Sequence, residues 1–283
     1  MKKIVGALAA LAIVSTLAGC AATPAADEST TAPDSSAIDD RFVTPGKFTV
    51  ATGEPAYYPY VIDDAPESGK GFESAVAYAV AEQLGFDADD VVWVRTGFDE
   101  AIQPGPKTFD VNLQQFSITD ARKATVDFSS PYYSTPQAVI TIKGSKAEGA
   151  TSIADLADVV IGAQTGTTSL EAINDVIKPT QDATVFNTND DAVLALTSGQ
   201  IDALVVDLPT AFYLTGAELD DGVLIGQLPA EDGISDEWGL LLDKDSTLTA
   251  DVTAAVDALT ADGTLAQIAD TWLGADAGAA VLE

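Results

Sequence analysis

The amino-acid sequence predicts an α/β fold of two domains built on mostly parallel sheets. From Lys47 onward, short runs of β-branched residues alternate with stretches of helical periodicity, which is typical of βαβ units. Two strand-like segments, Gln137–Ile142 and Trp238–Leu242, interrupt this alternation about a hundred residues apart. We therefore expect a second domain inserted into the first, with the chain crossing between them twice.

The individual elements follow from local patterns. Phe72, Val76, Val80 and Leu84 share one face of a predicted helix, and Gly85 provides its C-terminal cap. The other predicted helices start near Ser169 and cover Asp190–Ser198, Leu248–Thr260 and Thr264–Trp272. The predicted strands of the alternation are Phe48–Thr52, Val91–Val94, Val159–Gly162, Thr184–Phe186 and Ala203–Val206. The predicted domains are residues 47–134 with 236–283, and residues 135–235.

The N-terminus has the pattern of an export signal. Two lysines precede the apolar run Ile4–Val14, which is too short to span a bilayer, and small residues lead to Cys20. Leu17-Ala18-Gly19-Cys20 resembles the lipobox of bacterial lipoproteins, which implies a signal peptide over residues 1–20 and lipid on Cys20. The alternative is an ordinary signal peptide with an incidental cysteine. Residues 21–46, rich in Ala, Thr, Ser, Pro and Asp, are predicted to form a disordered tether.

Charge and composition exclude several functions. Without residues 1–20 the chain has 11 basic and 44 acidic residues, a net charge of −33, which repels nucleic-acid phosphates. The acidic residues are scattered, which favours a solubilising surface over a metal site. The sequence has no histidine, which excludes His-dependent nucleophilic catalysis and most zinc chemistry. We expect no cofactor and no metal.

One scarce arginine is a candidate for binding a carboxylate. Arg122 follows Ser117 and Thr119 within the stretch Phe116–Tyr133. Its planar fork can donate two parallel hydrogen bonds to one carboxylate. The alternative is a surface arginine that precedes a strand.

A second candidate anion site lies at Gln164–Ser169, between a strand and a helix. Thr168 with Glu171 predicts a capping box, and the free N–H groups and the helix dipole favour a negative charge. The segment lacks the Gly-Lys-Ser/Thr ending of a P-loop, so a carboxylate fits better than a triphosphate. An ordinary capped helix start is the alternative.

Acidic and aromatic residues follow other predicted strands. Asp207 comes directly after one strand and Glu54 after another, where ligands bind in open α/β sheets. Asp207 could equally be a helix N-cap. Tyr57 and Phe98 are candidate walls, although aromatic residues are more often core. A cleft that offers Arg122 to an anion and carboxylates to a cation fits the zwitterion of an α-amino acid.

Five ordered motifs resemble family 3 of the solute-binding proteins, the polar amino-acid receptors of ABC importers. They are Gly71-Phe72-Glu73 with Leu84-Gly85, Phe116–Arg122 with Asp127–Tyr133, Gln164–Thr168, Ser198–Ala203 with Asp207, and Asp262–Leu265 with Trp272–Gly274. The resemblance implies a type II periplasmic-binding-protein fold, with two α/β lobes joined by two hinge strands. It also implies an exported monomer that delivers an amino acid to a permease and faces the extracellular or periplasmic side.

The resemblance also implies roles for single residues. Arg122 would bind the ligand carboxylate with N–H groups at Ser117 and Thr168, within a segment that also contains Thr167. Asp207 would bind the ammonium, with Glu54 and the Gln115 carbonyl nearby. Tyr57 and Phe98 would enclose the ligand, and Gln164 would face its side chain.

Two departures from the family leave the ligand open. Many members have a small residue, often Gly, at the position of Gln115, and often Lys at that of Gln164. The strong negative charge disfavours an anionic ligand, so a neutral or cationic amino acid is favoured. Two alternatives remain: a lyase or dehydratase that uses Glu54 or Glu73 as acid and base, and a receptor with a signalling partner.

Overall fold

The structure is a computed structural model that describes residues 40–229, 235–274 and 278–283. The predicted signal peptide, Cys20 and residues 21–39 of the predicted tether lie outside these ranges. In the described ranges, no helix combines the length and the apolar character that crossing a membrane requires.

Strands and helices alternate along the chain. The strands are β1 (Phe48–Thr52), β2 (Val91–Arg95), β3 (Val111–Asn112), β4 (Asp127–Thr135), β5 (Gln137–Ile142), β6 (Ile161–Gln164), β7 (Thr184–Phe186), β8 (Ala203–Asp207), β9 (Gly222–Gln227) and β10 (Asp236–Leu242). The α-helices are α1 (Phe72–Gln83), α2 (Phe98–Ile102), α3 (Asp120–Lys123), α4 (Thr168–Ala172), α5 (Asn189–Thr197), α6 (Leu208–Tyr213), α7 (Thr249–Ala261) and α8 (Thr264–Trp272).

Lobe 1 is built on a five-stranded sheet with the order β2-β1-β3-β10-β4. β1 is parallel to β2 and β3, whereas β10 runs antiparallel to β3 and β4. The apolar face of α1, with Phe72, Val76 and Val80, packs with Trp238 in a core that also includes α7. A smaller cluster around Phe116 covers the other face of the sheet. Gly85 has φ +87°, a left-handed conformation that ends α1 as predicted.

Lobe 2 is built on a second five-stranded sheet with the order β7-β6-β8-β5-β9. β6 is parallel to β7 and β8, and β5 pairs antiparallel with β8 and β9. One face packs against α5 and α6 through Leu196, Leu204 and Val206. The other face is covered by a cluster that includes Leu156 and Ile173. The central strands β5, β6 and β8 are largely buried, which explains their apolar sequences, whereas the edge strand β7 has no fully buried residue.

The two lobes are joined by two hinge strands, which confirms the predicted architecture. β4 belongs to the first sheet and leads through Pro136 directly into β5 of the second. β10 returns beside it, with Asp236 in register with Thr135. The side chains at the start of β5 and β10 therefore lie between the lobes.

Three boundaries differ from the sequence-based expectations. Residues at the end of the predicted tether pack on lobe 1, because Phe42 is buried in its core and Arg41 forms an ion pair with Asp251 at 2.7 Å. Residues 278–283 were grouped with lobe 1 but lie on lobe 2, where Leu282 is buried and Val281 bridges to β9. The strand predicted at 159–162 lies instead at 161–164, because the pairing of β6 with β8 starts at Ile161.

Candidate functional site

A cavity lies between the two lobes at the carboxyl ends of several parallel strands. The cavity has a volume of about 80 Å³, enough for several waters or a small polar ligand. The predicted site residues that line it are Tyr57, Phe98, Gln115, Ser117, Arg122, Gln164, Thr167, Thr168 and Asp207. They come from both lobes, so the cavity is complete only when the lobes are together.

Glu54 was also predicted to lie in the site, and the structure does not place it there. Its side chain is exposed and is not among the residues that line the cavity, whereas its neighbours Gly53 and Pro55 are. The acidic residue that lobe 1 contributes is Glu73, which is only 1% exposed. The position of Glu54 after a strand correctly predicted that its loop borders the cavity, but it did not predict that the Glu54 side chain is exposed.

Arg122 is buried between the lobes, which excludes the surface interpretation. It is 8% exposed, and its Nη1 and Nη2 donate to the carbonyls of Ser117 at 2.6 Å and Gly166 at 2.9 Å. Its guanidinium lies over the Phe98 ring, with Cζ 5.5 Å from the centroid, as in a cation–π contact. Burial lowers the pKa of Arg122, and surrounding carboxylates, Glu171 first, act in the opposite direction. A positive charge is therefore held at a desolvated position on the cavity wall.

The predicted capping box at the start of α4 is not formed. Thr167, not Thr168, is the N-cap, and its hydroxyl accepts from the backbone N–H of Leu170. The Thr168 hydroxyl instead donates to Asp236 at 2.6 Å and lies 3.1 Å from the Ser117 hydroxyl. Because Thr167 is the cap, the hydroxyl of Thr168 on lobe 2 can contact both Ser117 on lobe 1 and Asp236 on a hinge strand.

Asp207 occupies the N-cap position of α6 but does not cap it. Its side chain makes no capping bond and accepts from Gln137 Nε2 at 2.6 Å. Burial raises the pKa of Asp207 to about 8, reinforced by the neighbouring Asp236 carboxylate and opposed by Gln137 and Arg122. The sequence left open whether Asp207 lies at the ligand site or caps a helix. In the structure it stands at a helix start, but its carboxyl makes no cap and lines the cavity.

A hinge network that the sequence did not predict connects the two sides of the site. Gln137, on the first hinge strand, donates from the same Nε2 to Asp207 and, at 2.7 Å, to Asp236 on the second. Its Oε1 accepts from Ser169 at 2.6 Å. Both Nε2 and Oε1 of Gln137 are thereby hydrogen-bonded, and the amide holds the Asp207 carboxyl in one orientation.

Glu73 and Gln115 form a second buried network. The backbone N–H of Gln115 donates to Glu73 Oε1 at 2.7 Å, its side-chain amide donates to Oε2, and the Tyr132 hydroxyl donates to Oε1. Burial raises the pKa of Glu73 to about 7, although these three donors lower it. Gln115 has φ +53°, in the left-handed region that favours glycine. Its bonds to Glu73 offset the strain of this backbone conformation.

Aromatic rings close the cavity on the lobe 1 side. Phe98 stacks on Phe116 with centroids 4.7 Å apart and an interplanar angle of 24°. Tyr57 is half-buried, and burial together with the Asp190 carboxylate raises its pKa. Tyr60 is buried, and its hydroxyl lies 2.7 Å from that of Thr210, a contact between the lobes. Tyr57, Phe98 and Tyr60 thus form part of the cavity wall, and the contact between Tyr60 and Thr210 joins the two lobes beside it.

Several lining residues were missed because their signal is weak in the sequence. Thr210 looks like an ordinary helix residue, and Asn189 is one of many polar residues at a helix start. In the part of the chain that the structure describes, no three His, Cys, Asp or Glu side chains are grouped so as to hold a metal ion. The chemistry of the cavity is that of one guanidinium, two carboxyl groups and a set of hydroxyls and amides.

Comparisons with known proteins agree with this geometry. The family model described as bacterial extracellular solute-binding proteins, family 3, matches residues 49–275. The L-arginine-binding protein of Pseudomonas aeruginosa is 30% identical over 230 residues, covering 79% of this chain and 86% of that protein. The L-cystine-binding protein TcyJ of Escherichia coli is 28% identical over 225 residues, covering 79% and 81%.

Solved structures share the fold over their whole length. An ancestral arginine-binding protein bound to glutamine superposes with a TM-score of 0.67 at 28% identity, covering 82% of this chain and 100% of that one. An ancestral amino acid-binding protein described as a precursor of cyclohexadienyl dehydratase gives a TM-score of 0.65 at 28% identity, covering 81% and 95%. The matched region includes both lobes and both hinge strands, and the chain therefore belongs to the bacterial extracellular solute-binding proteins of family 3.

Proposed function

We propose that this protein binds an α-amino acid with a neutral or cationic side chain and delivers it to an ABC importer. The observation that carries the proposal is the cavity with Arg122 and Asp207 both in its wall. A zwitterion satisfies both groups at once, because its carboxylate pairs with the guanidinium and its ammonium with the carboxyl group. The relatives named for arginine and cystine binding support the amino-acid class.

The positions of the lining residues support a role for each of them in the proposed binding. Arg122 would exchange its bond to the Gly166 carbonyl for the ligand carboxylate, helped by Ser117 and Thr168. Asp207 would accept from the ammonium. Tyr57, Phe98 and Gln164 would enclose the remainder of the ligand, and Thr167 would fix the start of α4. The carboxyl groups of Glu73 and Asp207 outnumber the single guanidinium, which disfavours a ligand with an acidic side chain.

The cellular setting is part of the same proposal. The lipobox-like sequence ending in Cys20 supports a lipid anchor that holds the protein at the cell membrane, facing the extracellular or periplasmic side. Movement about the two hinge strands would present a closed, loaded monomer to the permease subunits. No bond of the ligand is made or broken in this mechanism.

Isothermal titration against the twenty amino acids, cystine, ornithine and citrulline tests the proposal. We expect at least one neutral or cationic member to bind with Kd below about 1 mM, whereas aspartate and glutamate bind more weakly. The absence of such binding for every compound would refute the function.

A second function is favoured by one observation. Glu73 is a buried carboxyl in the cavity wall with a pKa of about 7, a suitable value for an acid or base in a lyase or dehydratase. Glu54, the other candidate, is exposed. The donors that engage both oxygens of Glu73 fit a structural role better. Observation of a bound ligand by NMR over a day separates the two, because only an enzyme would convert it.

A further inference from the structure

The loop that follows β1 supplies much of the lobe 1 wall of the ligand cavity. It covers residues 53–64, and its members in the wall are Gly53, Pro55, Ala56, Tyr57, Tyr60 and Val61. The end of the loop has a strained backbone, because Asp63 and Asp64 have φ +56° and +53°, in the left-handed region. The contacts that hold this loop therefore determine where the cavity wall lies.

One arginine joins the two ends of the loop. Arg95 is the last residue of β2, in register with Thr52 at the end of β1, so its side chain reaches the point where the loop starts. Its Nη1 donates to the Gly53 carbonyl at 2.7 Å and to Asp64 Oδ1 at 2.6 Å, and its Nη2 donates to the Asp64 carbonyl at 2.6 Å. The several donors of one planar guanidinium allow these three bonds at once.

The carboxylate of Asp64 connects this arginine to the cavity wall. The same Oδ1 that accepts from Arg95 also accepts from the backbone N–H of Ala56 at 2.9 Å. Ala56 is buried, lines the cavity and directly precedes Tyr57, which is proposed to enclose the ligand. Arg95 and Asp64 themselves are not among the residues that line the cavity. Their contacts with the wall therefore run through the backbone of the loop.

We propose that Arg95 is a positioning residue for ligand binding: together with Asp64 it fixes the loop so that Tyr57 stands against the bound amino acid. This inference rests on the proposed amino-acid function and adds to it a residue that does not touch the ligand. The side chain of Arg95 is 28% exposed and that of Asp64 is 48% exposed. Because ion pairs at such positions contribute little to the free energy of unfolding, their loss should change ligand binding more than stability.

Isothermal titration of two single variants and the double variant tests this role. The probe is whichever of the twenty amino acids, cystine, ornithine and citrulline binds the wild-type protein most tightly. Arg95→Ala should weaken its binding at least about fivefold, mostly through faster dissociation. Asp64→Gly suits the left-handed backbone but removes the carboxylate, so it should weaken binding to a similar extent. The double variant should bind no more weakly than either single variant, because both changes break the same set of contacts.

A matched control and a second measurement distinguish positioning from a general loss of structure. Arg41→Ala removes another partly exposed arginine of lobe 1, which is ion-paired with Asp251, and should leave Kd unchanged. The unfolding temperature of Arg95→Ala should fall by no more than about 3 °C. Amide hydrogen exchange at Ala56, followed by NMR without ligand, should be at least about tenfold faster in Arg95→Ala and in Asp64→Gly than in Arg41→Ala.

The outcomes separate this inference from the proposed function. Unchanged Kd or unchanged exchange at Ala56 in Arg95→Ala would refute the positioning role and leave the amino-acid function in place. Losses that simply add in the double variant would also refute it, because Arg95 and Asp64 would then act separately. Asp64→Gly decides the question even if Arg95→Ala does not fold. If none of the amino acids bound the wild-type protein, the proposed function would fail, and the role of Arg95 in binding with it.

Discussion

Removal of the negative charge of Asp236 should change the number of protons released when the protein binds an amino acid. Burial and the Asp236 carboxylate raise the pKa of Asp207 to about 8, so only about a tenth of this carboxyl is ionised at pH 7. A bound ammonium favours the ionised form, which lowers the pKa. Binding at pH 7 should therefore release about 0.9 proton, and affinity should rise about tenfold per pH unit up to pH 8.

The structure gives the size of the Asp236 effect. Asp207 and Asp236 accept from the same nitrogen of Gln137, at 2.6 and 2.7 Å, so their nearest oxygens are at most about 5 Å apart. At an effective dielectric constant of about 20, two charges at that distance repel by about 3 kcal/mol, or about two pKa units. Asp236→Asn should thus bring the pKa of Asp207 to about 6. Proton release at pH 7 should fall to about 0.1 proton.

Isothermal titration in two buffers of different ionisation enthalpy measures this release directly. The other groups that affect the Asp207 carboxyl are Gln137 and Arg122, which lower its pKa, and Glu73, which raises it; all three residues are unchanged in the variant. Asp270→Asn, an exposed residue on α8, is the control for loss of one acidic charge. Wild-type protein that releases no proton, or an Asp236→Asn variant that releases as many as the wild type, would refute the reasoning.

Two further predictions concern the ligand carboxylate and the anchor. Arg122→Lys keeps the charge but loses the planar fork, so titration should show binding at least about tenfold weaker, roughly 1.4 kcal/mol, whereas Lys123→Arg on the exposed side of α3 should leave Kd unchanged. If Arg122→Lys bound the ligand as tightly as the wild type, this would argue against the role of Arg122 in binding the carboxylate. Cys20→Ala removes the sole thiol of the sequence, and the protein should move from the membrane to the soluble fraction without incorporating labelled fatty acid; persistent membrane association would contradict the lipid anchor.

Local patterns were sufficient for much of the fold. The periodicity of Phe72, Val76 and Val80 and the cap at Gly85 depend on neighbours within a few residues, and the structure confirms them. Arg122 was found because basic residues are scarce in this sequence, and Asp207 was found because it directly follows a predicted strand. Their convergence on one cavity agrees with the expected layout of strand ends.

The missing parts of the site depend on contacts between distant segments. Gln137 and Asp236 are separated by 99 positions, and each looks like an ordinary polar residue at the edge of a strand. The sequence named Glu73 only as an alternative acid or base, and its bonds to Gln115 and Tyr132 depend on contacts between distant segments. Glu54 was misplaced because the sequence gives the loop but not the local backbone direction that turns a side chain outward.

The last residues of the chain add a constraint on how far the lobes can separate. α8 ends on lobe 1 at Trp272, whereas the backbone of residues 280–283 is hydrogen-bonded to lobe 2: Gln227 bonds to Ala280 and Leu282, and Ile153 donates to the carbonyl of Glu283. The lobes are therefore connected a third time along the chain, after α8. Because Leu273 packs on lobe 1 and Ala279 on lobe 2, the short length of chain that joins them limits how far the lobes can separate, a limit that the two hinge strands alone would not impose.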